Sequence, residues 1–215
     1  MYDDVGLMLF HMESTQPSRM GFVIAGGKSS RMGEDKAFLE FGGQTLLHRA
    51  LTALDVVCDR VAIVGEPSKF EKYEFEKYGS VVADIFSGCG PLAGIHAALA
   101  QSSAELNLML AVDMPFVSGE LLAFLFAVAE GSDAMIAVPR FGNGFQPLCA
   151  VYRRDFGRIA EQALRAGKYK IDAAFSSVRL RAVEADELAG AGFSEKNFFN
   201  VNTPQDRYAA EGQTF

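Results

Sequence analysis

Short apolar runs alternate with helix-like segments along almost the whole chain, and this alternation restricts the fold class more than any other feature. Residues 20–25 and 106–112 are nearly continuous apolar runs, as expected of buried parallel strands. After the first run, residues 44–57 carry leucines and alanines at helical spacing. Because parallel strands are joined by helical crossovers, the pattern predicts an α/β fold: a single three-layer α/β/α domain with a mainly parallel, Rossmann-like sheet.

The remaining predicted elements continue this alternation. Strands are predicted at residues 60–64, 80–83, 134–138, 147–152, 178–183 and 198–201. Helices are predicted at residues 69–78, 91–100, 119–130 and 154–166, and after Pro204. Ser118 and Thr203 are the predicted N-caps of two of these helices. No change in composition divides residues 20–215, which form one predicted domain, and residues 1–19 are predicted to be a disordered extension.

The charge of the chain excludes one class of partner. The 215 residues include 20 lysines and arginines and 27 aspartates and glutamates, which gives a formal charge of −7. A protein that coats nucleic acid needs a broad basic face, so we expect no nucleic-acid partner. No uninterrupted apolar stretch approaches the roughly 18 residues of a membrane helix, so we expect no membrane partner.

The cysteines and histidines exclude two kinds of metal site. Cys58, Cys89 and Cys149 lie far apart and form neither a zinc motif nor a disulfide pattern. The three histidines are too few and too scattered to hold a metal together. Unpaired thiols fit a reducing compartment, so we expect a cytoplasmic protein.

A glycine-rich, basic loop follows directly after the first predicted strand. It contains Gly26 and Gly27, where the backbone can turn its N–H groups toward an anion because glycine has no side chain. Lys28, Arg31 and Lys36 add three cations, and phosphate binding uses both fixed N–H donors and mobile positive charges. The spacing matches neither the P-loop of NTPases nor the G-x-G-x-x-G of dinucleotide-binding proteins. The alternative is an ordinary glycine turn with solvated basic residues.

Two aspartates follow strands at the same predicted edge of the sheet, where open α/β sheets bind ligands. Asp113 ends the apolar run at residues 106–112, and Mg²⁺ typically takes one or two carboxylates together with substrate phosphates. Asp84 follows the predicted strand at residues 80–83, where it is a candidate to accept hydrogen bonds from a sugar or a base. For both residues, helix capping or turn formation is the alternative.

Asn200 and Asn202 are the last candidate pair. Alternation along the predicted strand at residues 198–201 places both on one face, where they are candidates to orient phosphate or metal-bound water. Capping and turn formation are the alternative. His96 lies in an apolar predicted helix and is expected in the core or behind the site, whereas His48 is expected on the surface.

Five short segments follow one another in an order that is typical of one enzyme family. Residues 24–36, Ile-Ala-Gly-Gly-Lys-Ser-Ser-Arg-Met-Gly-Glu-Asp-Lys, resemble the family's opening L-A-G-G-x-x-x-R-M-G-x-D-K. The others are Gly-Pro-Leu-Ala-Gly at 90–94, Val-Asp-Met-Pro at 112–115, Gln-Pro-Leu at 146–148 and Asn-Val-Asn-Thr-Pro at 200–204. From Met20 onward the chain resembles the molybdenum cofactor guanylyltransferases (molybdopterin-guanine dinucleotide biosynthesis protein A), a family of the nucleotidyltransferase superfamily.

The resemblance implies a role for each candidate residue. The nucleotide would contact Ile24, Ala25, Gly26, Gly27, Lys36, Asp84 and Asp113. Arg31, Lys36 and Asp113 would be catalytic, with Asp113 also a ligand of Mg²⁺, the implied cofactor. Asn200 and Asn202 would face the reacting phosphates and the pterin acceptor.

One departure from the family pattern affects the nucleotide site. Family members often carry an asparagine at the end of the second strand, and residues 61–66 have no counterpart to it. Backbone groups of Val64 or Gly65 are the candidates to replace the contact that this asparagine would make.

The implied activity is the transfer of GMP from Mg–GTP to the terminal phosphate of molybdopterin, with release of pyrophosphate. The implied partners are GTP and the molybdenum cofactor, together with transient contacts to proteins that deliver this cofactor or mature molybdoenzymes. A monomer or weak oligomer is expected. One alternative is cytidylyl or other nucleotidyl transfer to a phosphorylated small molecule, and another is a non-catalytic nucleotide-binding regulator.

Overall fold

A mixed sheet runs through the middle of the molecule, with helices on both faces. The computed structural model describes residues 17–26, 35–71, 80–203 and 206. The strands are β1 (Arg19–Ile24), β2 (Glu40–Phe41), β3 (Gln44–Thr45), β4 (Arg60–Val64), β5 (Val81–Val82), β6 (Leu106–Ala111), β7 (Ile136–Phe141), β8 (Gly144–Phe145), β9 (Cys149–Arg153) and β10 (Leu180–Glu184). The helices are α1 (Leu46–Asp55), α2 (Pro91–Gln101), α3 (Gly119–Glu130), α4 (Phe156–Arg165), α5 (Ile171–Phe175) and α6 (Ala185–Gly190).

The main sheet has the strand order β10-β7-β9-β6-β1-β4-β5, with β8 paired to β7. β1 lies parallel to both β4 and β6, and β10 lies parallel to β7. β9 runs antiparallel to both of its neighbours, β6 and β7. The connection from β7 to β9 is the short β8 hairpin and not a helical crossover, so the chain must reverse its direction there. The predicted mainly parallel three-layer α/β/α fold is confirmed.

Two apolar clusters occupy the two faces of the sheet. Alternate residues of β1 contribute to different clusters: Val23 packs into one, and Phe22 and Ile24 pack into the other. Leucines of α1 and α3 cover the first face, whereas α2 and α4 cover the second. All six residues of β6 are buried, as predicted for a strand with helices above and below it. In the part of the chain that the structure describes, no helix is long and apolar enough to span a membrane.

Most predicted boundaries are confirmed to within a few residues. The strand at residues 60–64 and the helix at residues 119–130 match the structure, and Ser118 Oγ accepts the predicted capping bond from Leu121 N–H at 3.4 Å. β1 begins at Arg19, and the carbonyl of Ser18 accepts a bond from Leu106 N–H at 3.1 Å. The predicted disordered extension at residues 1–19 therefore includes one residue too many at its end, since Arg19 belongs to β1. Residues 1–16 lie outside the described residues, so their disorder stays a prediction.

The predicted strand at residues 198–201 is wrong. Glu195–Phe198 is a 3-10 helix, and the following residues pass the end of β6 with a single backbone hydrogen bond there, from Val201 N–H to the Asp113 carbonyl at 2.8 Å. The predicted helix at residues 69–78 does not begin at Lys69, which is the last residue of a 3-10 turn (Pro67–Lys69). Residues 72–79 lie outside the described residues. The β2–β3 ribbon, α5 and α6 were not predicted, because each is too short to show a periodic pattern.

Candidate active site

The carboxyl ends of β1, β4 and β6 meet at one edge of the sheet and position the candidate site. Beyond the ends of these strands, Val112 N–H donates to the Ile24 carbonyl at 3.2 Å, and Ala25 N–H donates to the Val64 carbonyl at 2.9 Å. These bonds hold the start of the glycine loop beside the residue that precedes Asp113. Ala25 and the segment that carries Asp113 therefore lie where ligands bind in open α/β sheets.

Lys36 joins two of the predicted site residues from distant parts of the chain. Its Nζ lies 3.1 Å from Asp113 Oδ2 and 2.7 Å from Asn202 Oδ1. The Lys36 and Asp113 side chains are 22% and 19% exposed, so the ion pair is partly shielded from water. Lys36 and Asp113, two of the candidate site residues, are thus in contact, and Asn202 lies in the same cluster. We call these three side chains the Lys36 cluster.

Asn202 is fixed by a capping arrangement, and Asn200 is not part of the cluster. Asp206 Oδ2 accepts bonds from Asn202 N–H at 2.9 Å and Thr203 N–H at 2.8 Å, while Asp206 N–H donates to Thr203 Oγ1 at 3.1 Å. The predicted capping role of Thr203 is thereby confirmed. Asn200 Nδ2 donates to the Phe198 carbonyl at 3.3 Å. The prediction that both asparagines share one face of a strand is wrong, because no strand forms there.

Asp84 carries a buried carboxylate oxygen that accepts no hydrogen bond among the described residues. A Cβ placed on Gly26 would lie 3.7 Å from Asp84 Oδ2, and one on Gly94 would lie 3.7 Å from Oδ1, so Asp84 sits between β1 and the first turn of α2. Burial raises the pKa of the Asp84 carboxyl above its ordinary value. A turn residue would accept a local N–H bond, so the turn alternative does not explain Asp84. A ligand donor would satisfy this oxygen.

The oxygen atoms of the Lys36 cluster fit a magnesium ion. Asp113 offers a carboxylate and Asn202 an amide oxygen, and both types of hard oxygen ligand are known in Mg²⁺ sites. Among the described residues, no three His, Cys, Asp or Glu side chains lie close enough together to hold a metal ion. Such a sparse ligand set is typical of magnesium that arrives bound to substrate phosphates.

Two of the backbone groups suggested as replacements for the missing asparagine already form hydrogen bonds in the sheet. Gly65 N–H donates to the Val82 carbonyl at 2.9 Å, and the Val64 carbonyl accepts from Ala25 N–H. Gly65 N–H is therefore engaged in the sheet. A contact through the carbonyl of Val64 or Gly65 stays a prediction, because a carbonyl oxygen can accept two hydrogen bonds. Gly27 and Arg31, which the sequence placed at the phosphates, lie outside the described residues.

An ion pair that the sequence did not indicate anchors the far end of the glycine loop. Lys69 Nζ lies 2.9 Å from Asp35 Oδ2, and both side chains are partly buried. Asp35 Oδ1 accepts a bond from Ala37 N–H at 3.2 Å and caps the 3-10 turn (Lys36–Phe38) that begins with the site lysine. Phe70 packs against Phe38 with ring centroids 5.9 Å apart. The segment after β4 therefore fixes the base of Lys36.

We expect Lys69→Met to lower the kcat/KM for nucleotide about tenfold, because a shift of about 1 Å at a reacting group costs on the order of a hundredfold. The melting temperature should change little, since partly exposed ion pairs contribute about 1 kcal/mol or less. Steady-state kinetics of pyrophosphate release measure the effect. Lys168→Met, at an exposed lysine, is the matched control. Equal kinetics of the two variants would contradict a positioning role for Lys69.

Arg49 supports the segment that follows Asp113. Its Nη2 donates to the Pro115 carbonyl at 3.2 Å, and its guanidinium lies 5.4 Å from the centroid of the Phe41 ring. The contact joins α1 to the loop between Asp113 and α3. Neither Arg49 nor Lys69 belongs to a sequence motif, and both act over long separations, so no local signal pointed to them.

His96 lies behind the segment that carries Asp84. It is 6% exposed, as predicted for a core position, and His48 is exposed, as predicted for a surface position. The His96 ring meets Phe86 edge to face at 5.2 Å, and its Nδ1 has no hydrogen-bond partner in the described structure. Burial lowers the pKa of His96 below its ordinary value of 6.5, the Glu161 charge opposes this shift, and the Arg165 charge adds to it.

Acidification should destabilise the protein through His96. The pKa of His96 is higher in the unfolded chain, about 6.5, than in the folded protein, so the unfolded chain takes up a proton on this side chain first as the pH falls. The unfolding free energy therefore falls as the pH drops through 6.5, and this fall ends below the pKa of His96 in the folded protein. Urea unfolding between about pH 7.5 and about pH 5 should show a smaller loss of unfolding free energy for His96→Leu than for the wild type. His48→Gln should keep the wild-type slope. The same slope in all three proteins would contradict the assignment.

Comparison with known proteins identifies the family. The family model described as "MobA-like NTP transferase domain" matches residues 21–182. The chain belongs to this family. A probable molybdenum cofactor guanylyltransferase of Pelotomaculum thermopropionicum is 40% identical over 186 residues, which are 86% of this chain and 88% of that protein. The protein of the same name in Methanosarcina mazei is 36% identical over 204 residues, 90% of each chain.

Two solved structures have the same fold. Molybdopterin-guanine dinucleotide biosynthesis protein A of Archaeoglobus fulgidus superposes with a TM-score of 0.77 at 26% identity, over 90% of this chain and 96% of that one. The 2-C-methyl-D-erythritol 4-phosphate cytidylyltransferase of Thermus thermophilus shares the fold, with a TM-score of 0.65 at 22% identity over 88% of this chain and 96% of that one. The resemblance and the enzyme class predicted from the five sequence segments are confirmed.

Proposed function

We propose that the protein transfers GMP from Mg–GTP to the terminal phosphate of molybdopterin and releases pyrophosphate. The observation that carries the proposal is the Lys36 cluster, which places an ammonium, a carboxylate and an amide oxygen together at the nucleotide-binding edge of the sheet. The curated relatives named molybdenum cofactor guanylyltransferase support the choice of base and acceptor.

The reaction needs no protein nucleophile. An oxygen of the acceptor phosphate attacks the α-phosphorus of GTP, and a new P–O bond forms while the bond to the α–β bridging oxygen breaks. Pyrophosphate leaves with that electron pair. The tasks of the protein are to hold two mutually repelling phosphates in line and to stabilise the charge that develops.

Each site residue has a task in this scheme. We assign Mg²⁺ to Asp113 and Asn202, and the ion when bound supplies Lewis-acid screening of phosphate charge. Lys36 donates to the nucleotide phosphates, and Arg31 is assigned the same task. Asp84 accepts hydrogen bonds from the nucleoside, with Ile24, Ala25, Gly26 and Gly27 as the backbone that approaches it. Asn200 is assigned to the acceptor side of the site.

The panel of triphosphates is the experiment that tests the proposal. The purified protein is incubated with molybdopterin and with GTP, CTP, ATP or UTP in turn, and pyrophosphate is measured, with magnesium omitted as the control. We expect turnover with GTP in the presence of magnesium. Preferential turnover of CTP would replace guanylyl by cytidylyl transfer. Nucleotide binding without any pyrophosphate release would favour the alternative, a non-catalytic nucleotide-binding regulator. The orientation of Lys36 toward Asp113 argues against this alternative.

We propose that the reaction takes place in the cytoplasm, and the three unpaired cysteines support this location. The product is a dinucleotide cofactor that must reach its acceptor enzymes. We therefore propose transient contacts with proteins that deliver the molybdenum cofactor or mature molybdoenzymes, by a monomer or weak oligomer.

A further inference from the structure

The ammonium of Lys36 lies between the two oxygen atoms that fit magnesium. Its Nζ is 3.1 Å from Asp113 Oδ2 and 2.7 Å from Asn202 Oδ1. The chain itself thus supplies a cation to both of these oxygen atoms. The proposed function assigns the same lysine to the nucleotide phosphates, which gives Lys36 two alternative sets of oxygen partners.

Two cations cannot share this pair of oxygens without strong repulsion. Like charges a few ångströms apart repel, and the partial burial of Lys36 and Asp113 weakens the screening by water. A magnesium ion that reaches Asp113 and Asn202 must therefore displace the ammonium. A triphosphate provides the displaced ammonium with new oxygen partners, because phosphate oxygens accept charge-assisted hydrogen bonds.

We propose that Lys36 competes with the divalent cation for Asp113 and Asn202, so that the nucleotide-free protein binds metal weakly and gains the ion together with the triphosphate. The inference rests on the proposed function, which assigns the metal to these two residues. Triphosphate and metal then favour each other's binding, since the triphosphate draws Lys36 away from the metal ligands and each ligand raises the affinity of the other by the same factor.

Metal binding to the nucleotide-free protein tests the proposal. Free Mn²⁺ is counted by electron paramagnetic resonance during titration of wild-type protein, Lys36→Met and Lys36→Arg, with Mg²⁺ as competitor. We expect Lys36→Met to bind Mn²⁺ at least about tenfold more tightly than the wild type, because one charge-assisted hydrogen bond corresponds to about a factor of ten and the ammonium makes two contacts. Lys36→Arg keeps the positive charge and should keep the weak affinity. Equal affinities of Lys36→Met and the wild type would overturn the proposal.

A second measurement does not depend on the titration. Because a ligand that binds the folded state raises stability, millimolar Mg²⁺ should raise the melting temperature of Lys36→Met and leave that of the wild type nearly unchanged. Lys36→Gln, a neutral variant of different shape, provides the same test if the methionine variant folds poorly. A magnesium response of the wild type as large as that of both neutral variants would contradict the competition.

The double variant Lys36→Met/Asp113→Asn separates this inference from the proposed function. Loss of the gained Mn²⁺ affinity in the double variant is expected, because Asp113 is the assigned carboxylate ligand. If the double variant binds as tightly as Lys36→Met, the metal assignment at Asp113 is wrong and the competition falls with it. If wild type and Lys36→Met bind equally and both lose affinity on Asp113→Asn, only the competition is wrong.

Discussion

Asp113→Ala should lower kcat for pyrophosphate release by at least about a thousandfold. The change removes the assigned carboxylate ligand of the metal, whose screening of phosphate charge contributes several kcal/mol, and each 1.4 kcal/mol of barrier corresponds to about a factor of ten. Folding should be preserved, because the backbone after β6 is unchanged and the carbonyl of residue 113 still accepts the bond from Val201 N–H. Steady-state kinetics with GTP, magnesium and molybdopterin measure the effect.

Two further variants make this test specific. Asp113→Asn keeps the size of the side chain and removes only the charge, so it should show a similar loss of kcat with a nearly unchanged unfolding free energy. Asp133→Asn removes an exposed carboxylate that pairs with Arg179 on the surface, and it should retain wild-type activity. An Asp113→Ala enzyme with more than about a tenth of wild-type kcat would remove Asp113 from the reaction.

Lys36→Met should lower kcat by about a hundred- to a thousandfold, the range found when a single charge-stabilising donor is removed from a reacting site. KM for GTP should rise less than kcat falls, because the ammonium acts most strongly on charge that develops during bond cleavage. The unfolding free energy should drop by about 1 kcal/mol or less, since the partly exposed Asp113 carboxylate loses its ion pair.

Comparing the metal affinities of the Lys36→Met and Asp113→Asn variants is the most informative test. Both variants should lose most of their activity, but Lys36→Met should bind divalent metal more tightly than the wild type and Asp113→Asn should bind it more weakly. A purely structural role for Lys36 predicts a fall in stability with no gain in metal affinity. Wild-type kcat in Lys36→Met would contradict its catalytic assignment.

Much of the fold was predictable because its signals are local. A strand that is covered on both faces is mostly apolar, and this shows in β6, where Asn107 is the one polar residue and its buried amide donates to the Ala104 carbonyl. The Ser118 cap and the leucine spacing of α3 likewise depend only on neighbouring residues. Short elements such as the β2–β3 ribbon and α5 contain too few residues to show a period. The antiparallel direction of β9 follows from a short connection, which composition alone does not distinguish from a longer one.

The candidate site divides in the same way. The glycine loop after β1 and the aspartate at the end of β6 were recognisable, because a strand end and a glycine pair are properties of consecutive residues. The contacts of Lys36 join residues 77 and 166 positions apart, and the Lys69–Asp35 pair joins two separate loops. Which residues meet in such pairs is determined by strand order and helix packing. No repeating pattern along the chain indicates them. The sequence indicates the residues that the chemistry needs. The proposed competition between Lys36 and the metal for oxygens of Asp113 and Asn202 arises only from the tertiary structure, which brings these three residues together.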